Sequence, residues 1–280
     1  MMTRRDLLAL TTASAFGVAP DEIVDTHVHF YDPERPGGVP WPAKTDKILY
    51  RRAMPEDYQA ISKARVLIVE ASSLFSDNQW ILGLSEMHRW IEGFIGHLDP
   101  ADSAFAKHVE HFQTNPKFLG IRLSTNAARA AFEKLAPLEQ AGMSLDLIGN
   151  GEMYMLAALL SDRYPKLHII LNHLPLAKPD ASIGELKGRA NIYAKVSWIL
   201  RHASDRLENH LEALDEVWQV FGENRVVYGS NWPVCETVVP YSKVQQTAIA
   251  YFRQKPLYKY LFTNSRAAYR WGKAHSKELR

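Results

Sequence analysis

Short apolar, β-branched runs recur along the chain, and longer segments with a helical pattern separate them. Eight such runs have the composition expected of strands that are buried on both faces, as in parallel sheets. They lie at 23–29, 65–71, 94–100, 118–124, 144–149, 168–174, 192–198 and 225–231. The pattern therefore predicts eight strands within one parallel sheet.

The intervening segments predict helices. Residues 78–93 and 204–222 repeat apolar positions at spacings of three and four, with Ser204 as the expected N-cap and Gly222 as the expected stop. Eight strands alternating with helices predict parallel βαβ units that close a (β/α)₈ TIM-like barrel, a single domain over residues 21–280. A doubly wound open sheet is the alternative, but its Gly-x-Gly-x-x-Gly signature is absent from the first strand–helix turn.

The first twenty residues have a different character from the rest. The sequence Thr3-Arg4-Arg5-Asp6-Leu7-Leu8, followed by a mild apolar run to Ala19, resembles a twin-arginine export signal. We expect a periplasmic or secreted protein on this ground. The alternative is an N-terminal cap helix that starts at Thr3 on a cytoplasmic protein. No apolar stretch of about 18 residues follows, so no membrane span is expected.

Composition narrows the function classes. The chain is 46% hydrophobic and 23% charged with a formal net charge of +2, which is an ordinary composition for a globular protein. Because no Lys/Arg-rich block occurs, nucleic acid is not an expected partner. The single cysteine, Cys235, excludes an internal disulfide and a Cys-based zinc cluster. The expected partner is a small-molecule substrate, with a homodimer as the default oligomer.

Polar side chains occur near the carboxyl end of nearly every predicted strand. They are His27, His29, Glu70, His97, Asp99, Arg122, Asp146, Asn172, His173, Lys195, Ser197, Ser230 and Asn231. In a barrel these ends converge on one face, and burying so many separate polar groups is costly. A shared polar cavity is therefore expected there. The first crossover, residues 31–64, is long and rich in Pro and Gly, which is typical of loops that build a pocket.

The His-x-His pair in the first strand is the sharpest candidate site. Residues two apart in a strand point the same way, so His27 and His29 are expected to face the barrel mouth together. They can hold one metal ion or one anionic group, or as neutral imidazoles polarise a carbonyl oxygen. Two histidines without any ligand role remain the plain alternative.

Several motifs, in order, resemble the amidohydrolase-related family, in particular its sugar-lactonase-like and 2-pyrone-dicarboxylate-lactonase-like branch. The motifs are VDTHVHFYDP, RVLIVEASSLFSDNQWIL, GIRLS, HIILNHLPLAKP, NIYAKVSWI, RVVYGSNWPV and LFTNSRAAYRW. The resemblance spans about residues 23–271. It implies a (β/α)₈ barrel that opens lactones or hydrolyses related carbonyl compounds, although some relatives decarboxylate.

The resemblance also implies roles for individual residues. His27, His29 and His173 would hold one divalent ion, zinc or manganese, or bind the substrate directly where metal is dispensable. Arg122 would pair with a substrate carboxylate or hydroxyl. His173, Asn231 and Arg122 form the expected catalytic set. The expected substrate-binding residues are His27, His29, Glu70, Arg122 and Trp232, with packing as the plain alternative for Trp232.

One position departs from the family pattern. The family's last strand ends Gly-Ser-Asp-Trp-Pro, where the aspartate acts as general base, but this chain has Asn231 there. An amide cannot take up a proton at useful pH. A neighbouring group then replaces the base, or Asn231 positions a metal-activated water, or the protein is a weak enzyme or a binder. Candidates for a replacement base are His27, His29, Glu70, Asp99 and Asp146.

The sequence thus predicts a hydrolase that opens a small lactone or cyclic ester of the sugar-acid type by water attack on the carbonyl. A metal-dependent decarboxylase of a small unsaturated or aromatic acid is one alternative, and a catalytically weak sugar-acid binding protein is another. The remaining histidines are expected on the surface of helices. They are His88, His108, His111, His202 and His210.

Overall fold

The computed structural model of this chain describes residues 18–19, 22–149 and 152–272. The predicted export signal, residues 1–20, therefore lies outside the described residues except for Val18 and Ala19. The prediction made from that segment is neither supported nor contradicted by the fold.

Eight parallel strands form one sheet in chain order. They are β1 Val24–Val28, β2 Arg65–Val69, β3 Ile91–Gly96, β4 Phe118–Ser124, β5 Ser144–Ile148, β6 His168–Asn172, β7 Ile192–Ser197 and β8 Val226–Gly229. The segment after β8 returns to β1, where Val28 and Trp232 form a parallel bridge. The His29 N–H donates to the Trp232 carbonyl at 2.8 Å, which helps to close the barrel. The (β/α)₈ prediction is confirmed.

Helices alternate with the strands around the outside. They are α1 Pro55–Ile61, α2 Phe75–Met87, α3 Phe105–Phe112, α4 Thr125–Ala130, α5 Ala136–Gln140, α6 Glu152–Arg163, α7 Leu211–Phe221, α8 Tyr241–Phe252 and α9 Asn264–Tyr269. Between β6 and β7 the described chain forms a 3₁₀ helix, Ala181–Leu186. No helix within the described ranges is long and apolar enough to cross a membrane.

Two details of the predicted elements were wrong. Residues 91–93 belong to β3 and not to the preceding helix, because Ile91 and Gly93 pair with Val66 and Leu67 of β2. Apolar spacing alone could not decide this, since the same residues suit either element. Ser204 does not cap a helix, because the chain turns helical only at Leu207. Gly222 does end α7, with φ of 61°.

Two hydrophobic clusters account for the core. The larger lies between the strands and the surrounding helices. The smaller joins residues from strands on opposite sides of the sheet, which can meet only inside the barrel. Its members are Val24, Leu67, Val69, Ile95, Leu119, Ile170, Tyr193, Val227, Ala268, Tyr269 and Trp271. The α9 segment therefore contributes Tyr269 to the interior.

Candidate active site

A bulge in β1 directs the two strand histidines into the barrel. Asp25 pairs with Val66 of β2, and Val28 pairs with Ile68. Between these two pairs β1 has two residues and β2 has one, so β1 carries one extra residue. Val24 belongs to the interior cluster and Val28 to the outer one. The bulge therefore changes the inside–outside alternation between them, and His27 and His29 face inward.

Three histidines meet at the carboxyl ends of the strands. The ring of His27 lies with its centroid 4.9 Å from that of His29 and 4.3 Å from that of His173, which follows β6. All three side chains are buried. The structure therefore brings together the three residues that the resemblance implied as a site.

These imidazoles are neutral. Burial, and after it the nearby Arg122 guanidinium, lower the pKa of His29 to about 3. Burial also holds the pKa of His27 and of His173 well below the usual range. For His173 the Arg122 charge is the next largest cause, and the Lys195 ammonium acts in the same direction on both residues. A desolvated site that already holds two cations disfavours a third positive charge.

Hydrogen bonds assign the proton on His29. Its Nδ1 lies 2.9 Å from the Val69 carbonyl oxygen, which can only accept, so Nδ1 carries the proton and Nε2 has the lone pair. The Asn231 side chain is within hydrogen-bonding reach of the same ring. His29 thus presents an acceptor, beside the amide at the position where the family has an aspartate.

A fully buried ion pair lies behind His27. The Lys195 ammonium is 2.7 Å from Asp146 Oδ2, 2.9 Å from the Thr26 carbonyl and 3.4 Å from His27 Nδ1. Burial lowers the pKa of Lys195, and the Asp146 charge opposes this. Asp146 Oδ2 also accepts from Asn172 Nδ2 and from the Tyr269 hydroxyl, each at 3.0 Å. All three contacts are made by Oδ2, so this oxygen of Asp146 is fully occupied.

Arg122 of β4 is held against the end of β2. Its Nε donates to Glu70 Oε1 at 2.8 Å, and its Nη2 donates to the Glu70 carbonyl at 2.6 Å. Both side chains remain partly accessible. Both contacts run to Glu70, one to its side chain and one to its backbone.

Three residues at the ends of consecutive strands have left-handed backbone conformations. They are His173 after β6 with φ of 52°, Trp198 after β7 with φ of 55°, and Asn231 after β8 with φ of 63°. Such conformations are costly for residues other than glycine and collect at functional sites. The sequence offered no sign of this repetition, which marks the same face as the histidines.

Two tryptophans flank the histidines, and neither was expected from the sequence. Trp41, in the first crossover, has its ring centroid 5.8 Å from that of His29. The ring of Trp198 lies 5.5 Å from that of His173. The position of Trp41 agrees with the prediction that the first crossover contributes to the pocket. A small pocket, partly open to solvent, also lies beside Glu70 and Tyr31.

Other sequence-predicted residues lie elsewhere. The Trp232 ring packs against Phe30 and Tyr58, so the structure places it in the outer core and not among the histidines. Asp99 is exposed and accepts a hydrogen bond from the Ala101 N–H, which makes it a turn residue and no candidate base. His210 is buried, with Nδ1 2.9 Å from the Leu176 carbonyl, so the surface prediction was wrong for it.

Asp25 ties β1 to β8 from the outer side. Its carboxylate accepts from the backbone N–H groups of His27 and Ser230 and from the Tyr58 hydroxyl. Burial raises the pKa of Asp25 to about 6, although these hydrogen bonds act in the opposite direction. The carboxylate supports the backbone that carries His27 and Asn231.

The donor set does not fit the predicted divalent ion. Among the described residues, no group of three or more His, Cys, Asp or Glu side chains is arranged to hold a metal. Metal-bound histidines usually donate their second ring N–H to a carbonyl or carboxylate. His29 meets this condition at Val69, but His27 has the Lys195 ammonium at its second nitrogen. The three histidines lie together, but the surroundings of the His27 ring do not fit the implied metal role.

The fold and site define a barrel hydrolase with its polar site at the carboxyl ends of the strands. Residues 24–271 match the amidohydrolase family, so the chain belongs to that family and is a hydrolase. The chain is 26% identical to an L-fucono-1,5-lactonase from Burkholderia ambifaria, over 75% of this chain and 80% of that protein. The comparison supports a lactone hydrolase at the level of the family.

Solved structures share the fold. An amidohydrolase from Burkholderia multivorans with bound zinc superposes with a TM-score of 0.75 at 20% identity, covering 89% of this chain and 99% of that one. A probable 2-pyrone-4,6-dicarboxylic acid hydrolase from Acinetobacter baumannii, with citric acid bound, gives 0.69 at 13% identity over 89% and 99%. At these identities the likeness concerns architecture alone.

Proposed function

We propose that this hydrolase opens a small lactone of the sugar-acid type by attack of water on the ring carbonyl. The observation that carries the proposal is the group of three buried, neutral imidazoles, with ring centroids 4.3 Å and 4.9 Å from that of His27. Neutral N–H donors in a desolvated site stabilise the oxyanion that develops on a carbonyl under attack. The lactonase named among the relatives supports the sugar-acid substrate class.

Each residue has a part in this mechanism. His27 and His173 face the carbonyl oxygen, with His173 positioned by a 3.0 Å contact between its Nδ1 and Ser197 Oγ. Arg122 binds a substrate carboxylate or hydroxyl, since guanidinium offers two parallel donors. The Asn231 amide and the Nε2 lone pair of His29 orient the attacking water. His29 Nε2 takes a proton from the water as it attacks. The oxyanion then collapses, the ring C–O bond breaks, and the leaving oxygen receives that proton from His29.

The described cavity has no free carboxylate that could act as a general base. Among the described residues at the cavity, Glu70 is paired with Arg122, and Asp146 is paired with Lys195. The Nε2 of His29 can accept a proton from water, but a pKa of about 3 makes it a poor base. We therefore propose slow catalysis relative to a protein with aspartate at position 231. A sugar-acid binding protein is the second candidate, and Asn231 is the observation that favours it.

The test is acid release by the purified full chain from a panel of aldonolactones that includes L-fucono-1,5-lactone. His173→Asn is the matched inactive control, because asparagine tolerates the left-handed backbone at that position. The proposal predicts release above the spontaneous rate by the wild type and at the spontaneous rate by the control. Calorimetric binding of a lactone without turnover supports the binder instead. Carbon dioxide release from unsaturated or aromatic acids supports decarboxylation.

A further inference from the structure

The ammonium of Lys195 is saturated by acceptors. An ammonium has three N–H donors and no acceptor, and three groups surround this one: Asp146 Oδ2, the Thr26 carbonyl and His27 Nδ1. The carboxylate and the carbonyl cannot donate. The third group must also accept, so His27 Nδ1 has its lone pair toward Lys195.

This contact decides which nitrogen of His27 carries the proton. His27 is neutral, so a lone pair on Nδ1 leaves the proton on Nε2. His27 Nε2 is buried and has no hydrogen-bond partner among the described residues. A buried N–H without a partner costs free energy, which a hydrogen-bonding substrate atom recovers. His27 thus offers a donor, whereas His29 offers an acceptor through Nε2.

We propose that the buried Lys195–Asp146 ion pair fixes the Nε2–H tautomer of His27, so that His27 donates a hydrogen bond to the substrate carbonyl oxygen and is not a metal ligand. Lys195 and Asp146 are positioning residues that act through His27. To bind a metal through Nε2, His27 would need its proton on Nδ1, and that N–H would face the Lys195 ammonium. This inference rests on the proposed function only for the identity of the atom that accepts from His27.

The direct test needs no substrate. Long-range ¹H–¹⁵N correlation of the full chain, labelled with ¹⁵N-histidine, distinguishes a protonated ring nitrogen from one with a lone pair. His27 is assigned by the signal lost in His27→Gln. We expect protonated Nε2 and unprotonated Nδ1 for His27, and the reverse for His29. A protonated Nδ1 on His27 in the wild-type protein overturns the proposal, whether or not the protein hydrolyses lactones.

A variant tests the part played by the ion pair. Lys195→Met combined with Asp146→Asn removes both charges together, so no uncompensated buried charge remains. His27 should then give mixed tautomers, and kcat should fall up to about 10²-fold with KM nearly unchanged. Lys117→Met is the control, because the Lys117 ammonium also binds two backbone carbonyls, those of Ser85 and Ile91, outside the site. An unchanged His27 tautomer in the folded double variant contradicts the assignment to Lys195 and Asp146.

Zinc chloride supplies a further arm. Added to the apo protein, zinc should leave the His27 ring signals unchanged. If zinc instead moves the proton from Nε2 to Nδ1 of His27, the histidine is a metal ligand and the proposal is wrong. Neither the wild-type spectrum nor this titration depends on lactone turnover. A failure of the tautomer assignment can therefore be distinguished from a failure of the proposed function.

Discussion

Lys195 Nζ lies 2.7 Å from Asp146 Oδ2, and both side chains are fully buried. Such a pair adds little to the free energy of unfolding, because the cost of desolvating two charges offsets their attraction. The Lys195 ammonium lies beside His27 Nδ1, and the role that we propose for the pair is to set the tautomer of His27. The pair holds the Lys195 ammonium against His27, within the group of three buried imidazoles.

Removing one partner of this pair should be far more damaging than removing both. Lys195→Met leaves the Asp146 carboxylate buried without its counter-charge and is expected to lower the free energy of unfolding by about 3–5 kcal/mol. The double variant Lys195→Met with Asp146→Asn should recover most of that loss, because Asn172 and Tyr269 can still donate to an amide oxygen. Urea denaturation of the two variants and the wild type measures the difference. Equal losses in both variants would show that the charges are not coupled.

His173→Asn should lower kcat by about 10²–10³-fold, as for the loss of one donor to an oxyanion. The fold should persist, because asparagine adopts the left-handed conformation that His173 has here. Steady-state rates and thermal unfolding of the same preparation test this. His111→Asn, at an exposed position, is the matched control and should change neither quantity. Full activity in His173→Asn would remove this residue from the mechanism.

Asn231→Asp should increase lactone turnover. Aspartate tolerates the φ of 63° at this position. It supplies a free carboxylate beside His29, whereas the carboxylates of the described cavity are paired with Arg122 or Lys195. A general base contributes about 10²–10⁴-fold, so an increase of at least tenfold in kcat is expected. Progress curves at saturating substrate measure it. An unchanged or lower kcat would mean that another group already serves as base.

Stability should fall as the pH drops below about 6.5. The three site histidines have lowered pKa values in the folded state, to about 3 for His29, so below 6.5 the unfolded chain binds more protons. Each contributes a loss that approaches about 1.4 kcal/mol per pH unit. Asp25 acts oppositely, because its pKa is raised to about 6 and protonation between 6 and 3.8 favours the folded state. The stability lost through three histidines on acidification exceeds the stability gained through the single carboxyl of Asp25.

Urea denaturation at a series of pH values between 7 and 5 tests this slope. His29→Gln, which removes one of the three groups, should lose less stability over the same interval than the wild type. A stability profile that is flat, or that rises on acidification, would contradict the assignment of three neutral buried imidazoles.

The sequence predicted the barrel because buried parallel strands have a local signature. Each run is apolar over its whole length, so the eight strands could be recognised one at a time. The boundary between α2 and β3 could not be predicted in this way, because Ile91 suits either a helix or a strand. Only its pairing with Val66 shows that it belongs to β3. His210 was misplaced for a similar reason, because its partner, the Leu176 carbonyl, is distant in the chain.

The site was predicted in part. His27, His29 and His173 meet because strand ends converge, which follows from the fold class alone. The tautomers of His27 and His29 depend on Lys195 and on the Val69 carbonyl, contacts that no local pattern encodes. The β1 bulge and the position of the Trp41 ring could not be predicted from the sequence either, because both depend on how distant segments pack.

One measurement tests the central claim most directly: the initial rate of acid release from an aldonolactone by chelator-treated protein, compared between the wild type and His173→Asn. If neutral histidine side chains stabilise the oxyanion, the chelated wild type releases acid well above the spontaneous rate, and His173→Asn does not. Release that disappears on chelation and returns with zinc, or that is equal in the two proteins, would contradict the account.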